Sequence, residues 1–469
     1  MKAFTEPLLS LAGFEEMTKT AEKSSGLISV TGCIDAQKSQ MIYAFGGHRK
    51  NKLIVTFGEQ KAKELYDEYS FFDKEVVYYP SKDVLFYQSD IRGNLLTAER
   101  IRALKAIREQ ERVTLVTTFD ALMNTMAPIE KMWENVLTLE QGQLLDLKEI
   151  QAALIRMGYE KEYQVQTMGQ FSVRGGILDV FPLTEENPIR IELWGDEIDT
   201  IRYFDCESQK SIENTDRVSI YPAAELVLSD EEKAGGIEKL KAEAKRVSDK
   251  LRKQMKTEEA HRVTVMADEL TEEWGELSMY AGMDAFLSYF FDERVGLLDY
   301  FKPSDSLIFF DELTRCTEQG KLTETEFSES MKQRLAMGYI LPGQMNGLFT
   351  EKEIVAKLEK YSCIALGALD NKANGLHQLG SYGIHCQSVS PYNNSFELLI
   401  KDLKRYKKNG YRVILLSGSR TRAKRLSEDI TDQGITCFYT ENYDHELFEV
   451  EIMVCYGKVR RGVEYPMLK

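Results

Sequence analysis

Short apolar, β-branched runs alternate with helix-spaced stretches over roughly the first 140 residues. Leu27–Val30 (LISV), Lys52–Phe57 (KLIVTF), Glu75–Pro80 (EVVYYP) and Thr114–Phe119 (TLVTTF) predict strands, and Ala98–Glu109 predicts one of the intervening helices. Such alternation predicts an α/β fold built on a parallel sheet. The texture then changes. Asp146 is placed to cap a helix that carries Leu147, Ile150, Leu154 and Met157 on one face and is closed by Gly158. Extended runs follow, punctuated by turn signals: RGG at Arg174–Gly176 and GDE at Gly195–Glu197. They predict a small hairpin-rich α+β module from about Leu145 to Tyr221.

Within that module, the run Ile189–Trp194 (IRIELW) sorts its residues by strand period. Ile189, Ile191 and Leu193 fall on one face; Arg190, Glu192 and Trp194 fall on the other. Folding alone does not call for a tryptophan on the polar face of a strand beside an arginine. Trp and Arg are enriched among the residues that anchor protein–protein interfaces. The pattern therefore predicts a surface that holds an outside partner.

From Asp230 the chain is densely charged, yet Ile237, Leu240, Ala244, Val247, Leu251 and Met255 recur at spacings of three and four, predicting a long amphipathic helix. Its basic run, Lys239–Lys256, has acids interspersed and reads as a solvated face. SLIFFDE (Ser306–Glu312) and SCIALGAL (Ser362–Leu369) predict buried strands, so α/β character resumes and the hairpin module reads as an insertion. A last α/β unit is expected from a helix around Phe396–Lys407, a strand Arg412–Ser417, a helix, and strands near Ile435–Tyr439 and Glu451–Cys455. No internal repeat or low-complexity segment is present.

Composition narrows the class. A length of 469 residues predicts about three domains. No window reaches the roughly 20 apolar residues that span a bilayer, and the first residues lack the basic and apolar regions of a signal peptide. Seven scattered cysteines with no CxxC pair predict reduced thiols and a cytoplasmic location. A net charge of −15 argues against a nucleic-acid binder that uses its whole surface, while leaving room for a local groove.

Two motifs bear on chemistry. The first strand runs into Gly32-Cys-Ile-Asp-Ala-Gln-Lys38-Ser39, which has the spacing of a phosphate-binding GxxxxGK[ST] loop with Gln37 in place of the second glycine. A side chain there obstructs the loop, and Asp35 puts negative charge where polyphosphate would lie. SLIFFDE ends in Asp311 and Glu312, the position of the acids that hold Mg²⁺ and orient water in a working nucleotidase. Beside the damaged loop, the pair reads as a relic. The five histidines (His48, His261, His377, His385, His445) show no metal-ligand spacing, and no residue stands out as a nucleophile. Neither a catalytic residue nor a metal site is therefore expected.

RGGILDVFP, IRIELWGDEIDTIRYFD and YPAAE at Tyr221–Glu225 together resemble the second domain shared by UvrB and the bacterial transcription-repair coupling factors. The impaired loop, PSKDVLFYQSD (Pro80–Asp90), ERIRALKAI (Glu99–Ile107) and VTTFDALM (Val116–Met123) agree with the resemblance. An intact loop is expected of UvrB, so its loss favours the coupling factors, whose UvrB-like module is degenerate. The closing Gly457–Lys469 resembles the strand that ends their third domain.

The resemblance implies a RecA-like α/β domain (residues 1–144 and 227–385) interrupted by a UvrA-binding module (145–226), with a small α/β domain at 386–469. It implies a fragment whose gene continues into a polymerase-interacting domain and ATP- and Mg-dependent motor domains. RNA polymerase and duplex DNA would be engaged through those parts. Here the expected partner is UvrA. Arg174 matches the family's UvrA-contacting arginine of the RG turn, and Arg190 and Trp194 match its arginine and aromatic on the next strand. No cofactor is expected in this chain, and no membrane contact. Two rival readings stay open: a UvrB-type helicase-like ATPase, and a structural scaffold with Trp194 half-buried against its own chain.

Overall fold

The computed structural model describes residues 1–45, 49–82, 93–276, 282–389, 392 and 395–468. His48, most of Pro80–Asp90 and the final Lys469 lie outside the described residues. After two helices, Lys2–Leu9 and Phe14–Lys23, come β1 (Gly26–Thr31), β2 (Asn51–Thr56), β3 (Val77–Tyr79) and β4 (Val113–Thr118). It then departs into a module of β5 (Leu137–Glu140), a helix Leu147–Arg156, β6 (Glu160–Lys161), β7 (Gln170–Arg174), β8 (Ile177–Val180), β9 (Ile189–Trp194), β10 (Glu197–Phe204), β11 (Ser211–Asn214) and β12 (Arg217–Ile220). It returns through helices Asp230–Lys253 and Thr257–Glu276 to β13 (Ser306–Asp311), β14 (Ser362–Leu366) and β15 (Gln378–Gly383).

The fold is α/β. The seven body strands form one sheet in the order β15-β1-β14-β13-β2-β4-β3, and every neighbouring pair is parallel. Strands from before and after the insertion are interleaved, so neither half can complete the sheet alone. Helices cover both faces, which is why these strands read as nearly continuous apolar runs. Leu53, Val55, Leu115, Ile308 and Phe310 pack on one side; Ile28, Val30, Ile54, Phe309 and Ile364 pack on the other.

The inserted module holds a six-stranded sheet in the order β11-β10-β9-β8-β7-β6, antiparallel apart from the short β6–β7 pair. Phe171, Leu178, Val180, Ile189, Ile191, Ile198 and Ile201 form its buried face, against Leu154 and Met157 of the helix. Asp146 caps that helix by accepting from the amides of Lys148 and Glu149, and Gly158 ends it at φ +88. β5 pairs with β12 and contributes Leu139 to this core, so the module's packing begins at Leu137, ahead of the expected Leu145.

The long helix after Asp230 starts at a capping box between Ser229 and Glu232. Its Leu240, Ala244 and Leu251 pack against Ala260, Val263 and Trp274, which belong to the second helix. Met255 departs from the expected stripe. It is 88% exposed, with φ +63, in the link between the two helices. The apolar spacing ran on past Lys253, but the backbone had already turned.

The last unit has β16 (Gln387–Val389) paired with β20 (Gly462–Glu464), and a parallel trio β17 (Val413–Ser417), β18 (Phe438–Tyr439) and β19 (Ile452–Tyr456) in the order β17-β19-β18. Helices Phe396–Lys408 and Arg420–Asp432 belong to it.

Where the module rejoins the body, the buried Glu225 carboxylate accepts from Arg100 Nε at 2.7 Å and Nη2 at 3.0 Å, and Lys82 Nζ lies 3.0 Å away. Arg100 Nη1 also donates to the Pro80 carbonyl at 2.6 Å, tying the junction to the end of β3. Burial would raise the Glu225 carboxyl, but the two cations overcome it and hold it down at about 2.

Candidate functional site

The module's sheet has a second face, and it is polar. The register pairs Asp179 of β8 with Arg190 of β9, Arg190 with Arg202 of β10, and Glu192 with Thr200. Residues directly opposite one another project on the same side, so these side chains form one charged surface over the apolar core. Arg190 forks onto Asp179, with Nε donating to Oδ1 at 2.7 Å and Nη2 to Oδ2 at 2.8 Å. Its Nη2 also donates to Gln209 Oε1 at 2.8 Å, and the guanidinium lies 4.3 Å from the Phe204 ring centre. Arg174, at the end of β7, donates to Asp179 Oδ2 at 2.9 Å. Asp179 is thus a buried carboxylate clasped by both arginines.

The two arginines play unequal parts. The Arg190 side chain is only 12% exposed, so it presents one edge, whereas that of Arg174 is 36% exposed. Hydrogen bonding to Asp179 raises Arg190 above its ordinary pKa, more than burial lowers it. Both cations are therefore fixed in place before any partner arrives. That limits the side-chain ordering needed on binding.

Trp194 ends the same strand face. It is 84% exposed, and Gly195 at φ +66 makes the turn immediately after it. It does not pack under that turn, so the scaffold reading, which needed a half-buried Trp194, is not supported. Nor do the arginines pair with Glu192 or Glu197. Glu192 is taken by Arg202 Nη1 at 2.9 Å and by Thr200 at 3.1 Å. Sequence reasoning missed Asp179 and the Glu192–Arg202 pair. The signal for Asp179 was partial: a lone acid inside an otherwise apolar strand, whose facing arginine is set only by the β8–β9 register.

The degenerate nucleotide loop has a different character. Gly32 takes φ +74, and a Cβ there would come within 2.2 Å of the Ile384 carbonyl. The helix Asp35–Ala44 then starts at once. Gln37 is fully buried in its first turn and accepts from the Cys386 thiol at 2.9 Å. Lys38 is also buried. Its Nζ donates to Asp35 Oδ1 at 2.8 Å, to Glu312 Oε1 at 3.3 Å, and to Asp311 Oδ1. Lys61 reaches Asp35 Oδ2 at 2.9 Å. Burial alone would lower the Lys38 ammonium, but Asp311 and Asp35 hold it above its usual range. The Asp35 carboxyl sits at about 2, where the pull of Lys38 and Lys61 outweighs partial burial.

This geometry does not suit the phosphates of a nucleotide. The lysine that would meet them is occupied by three carboxylates, and one of those, Asp35, opens the helix where anions would bind. Gly32, Gln37, Lys38, Ser39, Asp311 and Glu312 are thus brought together much as in a working site, but around an internal ion-pair cluster. Among the described residues, no group of three or more His, Cys, Asp and Glu could hold a metal ion. None of their helices is long and apolar enough to cross a membrane.

Comparison with known proteins bears on the polar sheet. Residues 137–226 match the UvrB interaction domain. That span runs from β5 through the strands that carry Arg174, Arg190 and Trp194 to Leu226, just past Glu225. Outside that span the similarity to known proteins continues over nearly the whole chain. It is 26% identical over 418 residues to the transcription-repair-coupling factor of Bacillus subtilis (strain 168), covering 89% of this chain and 35% of that protein. It is 25% identical over 452 residues to the factor of Staphylococcus haemolyticus (strain JCSC1435), covering 94% and 37%. It is 24% identical over 466 residues to that of Staphylococcus aureus (strain MRSA252), covering 97% and 38%. The chain spans little more than a third of the length of these relatives.

Proposed function

We propose that this chain is the UvrA-recruiting part of a transcription-repair coupling factor. In that reading a longer protein removes RNA polymerase stalled at DNA lesions, and this part delivers the excision machinery through Arg174, Arg190 and Trp194. The carrying observation is an 84% exposed tryptophan beside two pre-fixed arginines, within residues that match the UvrB interaction domain. Arginine forks suit carboxylates on a partner, and the indole supplies a large apolar contact with few rotamers to order. Titration of UvrA into the purified chain tests this. A saturable complex that weakens on Trp194→Ala is expected, and a folded chain that fails to bind UvrA would refute it.

ATP hydrolysis, DNA translocation and contact with RNA polymerase belong, in this proposal, to other parts of the longer protein, which works in the cytoplasm. The chain by itself uses no cofactor and turns over no ATP. The support is the Lys38 cluster, which needs a cation where it stands. A turnover assay with Mg²⁺ and ATP, with and without DNA, is expected to read background. Turnover that disappears in Lys38→Ala would restore the UvrB-type ATPase reading.

A further inference from the structure

The protein is acidic as a whole, with a net charge of −15, but its last unit carries a concentrated basic surface. Between Glu397 and Asp432 stand ten Lys and Arg against five Asp and Glu. The fold decides where they point. Leu399, Ile400 and Leu403 of helix Phe396–Lys408, and Ala423 and Ile430 of helix Arg420–Asp432, join one apolar cluster with Val413, Leu415, Ile452 and Val454. The alternate residues Ile414, Leu416, Met453 and Cys455 pack on the other side, against Phe4 and Phe71 of the body. Both helices therefore cover the same, outer face of the β17-β19-β18 sheet, and their polar sides look outward.

On those outward sides Lys401, Lys404 and Lys408 form one stripe at helical spacing, and Arg422 and Arg425 lie on the first turns of the neighbouring helix. All five are exposed. Among the described residues none of them has an ion-pair partner, whereas Arg405 is paired with Asp402 at 3.1 Å and Arg420 with Glu441 at 3.2 Å. The acids Glu428, Asp429 and Asp432 collect at the far end of the second helix and bound the patch on that side. The long helix Asp230–Lys253 differs, since its cations are mixed with acids along its length.

We propose that this outer face of the last unit is a docking surface for the phosphate backbone of duplex DNA. The occupant is argued from charge. A row of outward ammonium and guanidinium groups without ion-pair partners among the described residues is complementary in charge to a polymer carrying a phosphate every ~3.4 Å along each strand. The acidic remainder of the chain repels the same polymer and confines contact to this face. Among the described residues no base-reading element accompanies the patch, so binding is indifferent to sequence.

The test is fluorescence anisotropy of a labelled 30-base-pair duplex with the full chain at several salt concentrations. Two variants of equal charge change are compared: Lys401→Glu/Lys404→Glu/Arg422→Glu/Arg425→Glu on the patch, and Lys241→Glu/Lys245→Glu/Lys250→Glu/Lys253→Glu on the long helix. Wild type is expected to bind at low salt with a log–log salt slope of about −3 to −4, and the patch variant to lose at least about tenfold with a flattened slope. The long-helix variant is expected to lose much less. The glutamine version of the patch variant guards against misfolding, and its melting temperature is expected to equal wild type. Equal losses in the two variants, no binding by wild type at low salt, or wild-type binding to poly-glutamate but not to DNA would each overturn the proposal.

Discussion

Arg190 and Trp194 share a strand face, yet they answer to different demands, and a pair of substitutions separates them. Arg190→Ala leaves the buried Asp179 carboxylate with Arg174 as its only cationic partner. An incompletely compensated buried charge is destabilising. We expect a loss on the order of 2 kcal/mol in urea unfolding, seen as a lower midpoint with unchanged slope. Trp194→Ala removes a side chain that touches little of its own protein, and the midpoint is expected to stay within about 0.5 kcal/mol of wild type. A large loss in Trp194→Ala would show that the indole is structural. Arg190→Ala is for the same reason a poor probe of partner binding, because its effect mixes fold with contact. The sequence carried the face assignment of both residues, since period two alone separates Ile189, Ile191 and Leu193 from Arg190, Glu192 and Trp194. It did not carry the clasp on Asp179, which depends on the β8–β9 register and hence on where two turns fall.

At the scale of elements, what was legible is what local periodicity controls. β1, β2, β3, β4 and β13 appear within a residue or two of their apolar runs, β14 stops at Leu366, three residues short of its run, and β15, partly exposed at the sheet edge, was not anticipated; the helix after Asp146 has its expected cap and its closing glycine. Two things were not legible. One is the order β15-β1-β14-β13-β2-β4-β3, in which β1 pairs with β14 and β15 and β2 with β13 across hundreds of intervening residues. The other is the end of the long helix. Apolar spacing carried the expected stripe to Met255, but the chain turns after Lys253 into a second helix. The two positions give a direct contrast. Leu240→Ala, at a fully buried contact between the paired helices, is expected to cost about 2–4 kcal/mol. Met255→Ala is expected to be neutral within about 0.5 kcal/mol. Thermal or urea unfolding reads both, and equal effects would mean that the hairpin is packed differently.

At the scale of the whole molecule, the module whose residues 137–226 match the UvrB interaction domain is inserted in the body by two chain crossings, and Glu225 stands at the second. Its carboxylate draws Arg100 and Lys82 of the body onto the last residues of the inserted domain. The folded carboxyl lies at about 2, below its ordinary 4.5, so this contribution to stability is complete above about pH 4.5 and is lost as pH falls toward 2. Glu225→Gln is expected to lower stability at neutral pH and to flatten its acid dependence across that window. A variant whose acid limb superimposes on wild type would show that other carboxylates carry the transition. Nothing in the periodicity pointed to this junction, because Arg100 and Glu225 are each ordinary charged residues until the fold buries them together.

UvrA recruitment through Trp194 is tested by calorimetric titration of UvrA into the full chain, wild type against Trp194→Ala, with both melting curves recorded. Removing an interface anchor of this kind typically costs about 2 kcal/mol or more, some thirtyfold in affinity. A loss of at least that size with an unchanged melting temperature is expected. A Trp194→Ala chain that stays folded and binds UvrA at wild-type affinity would contradict it.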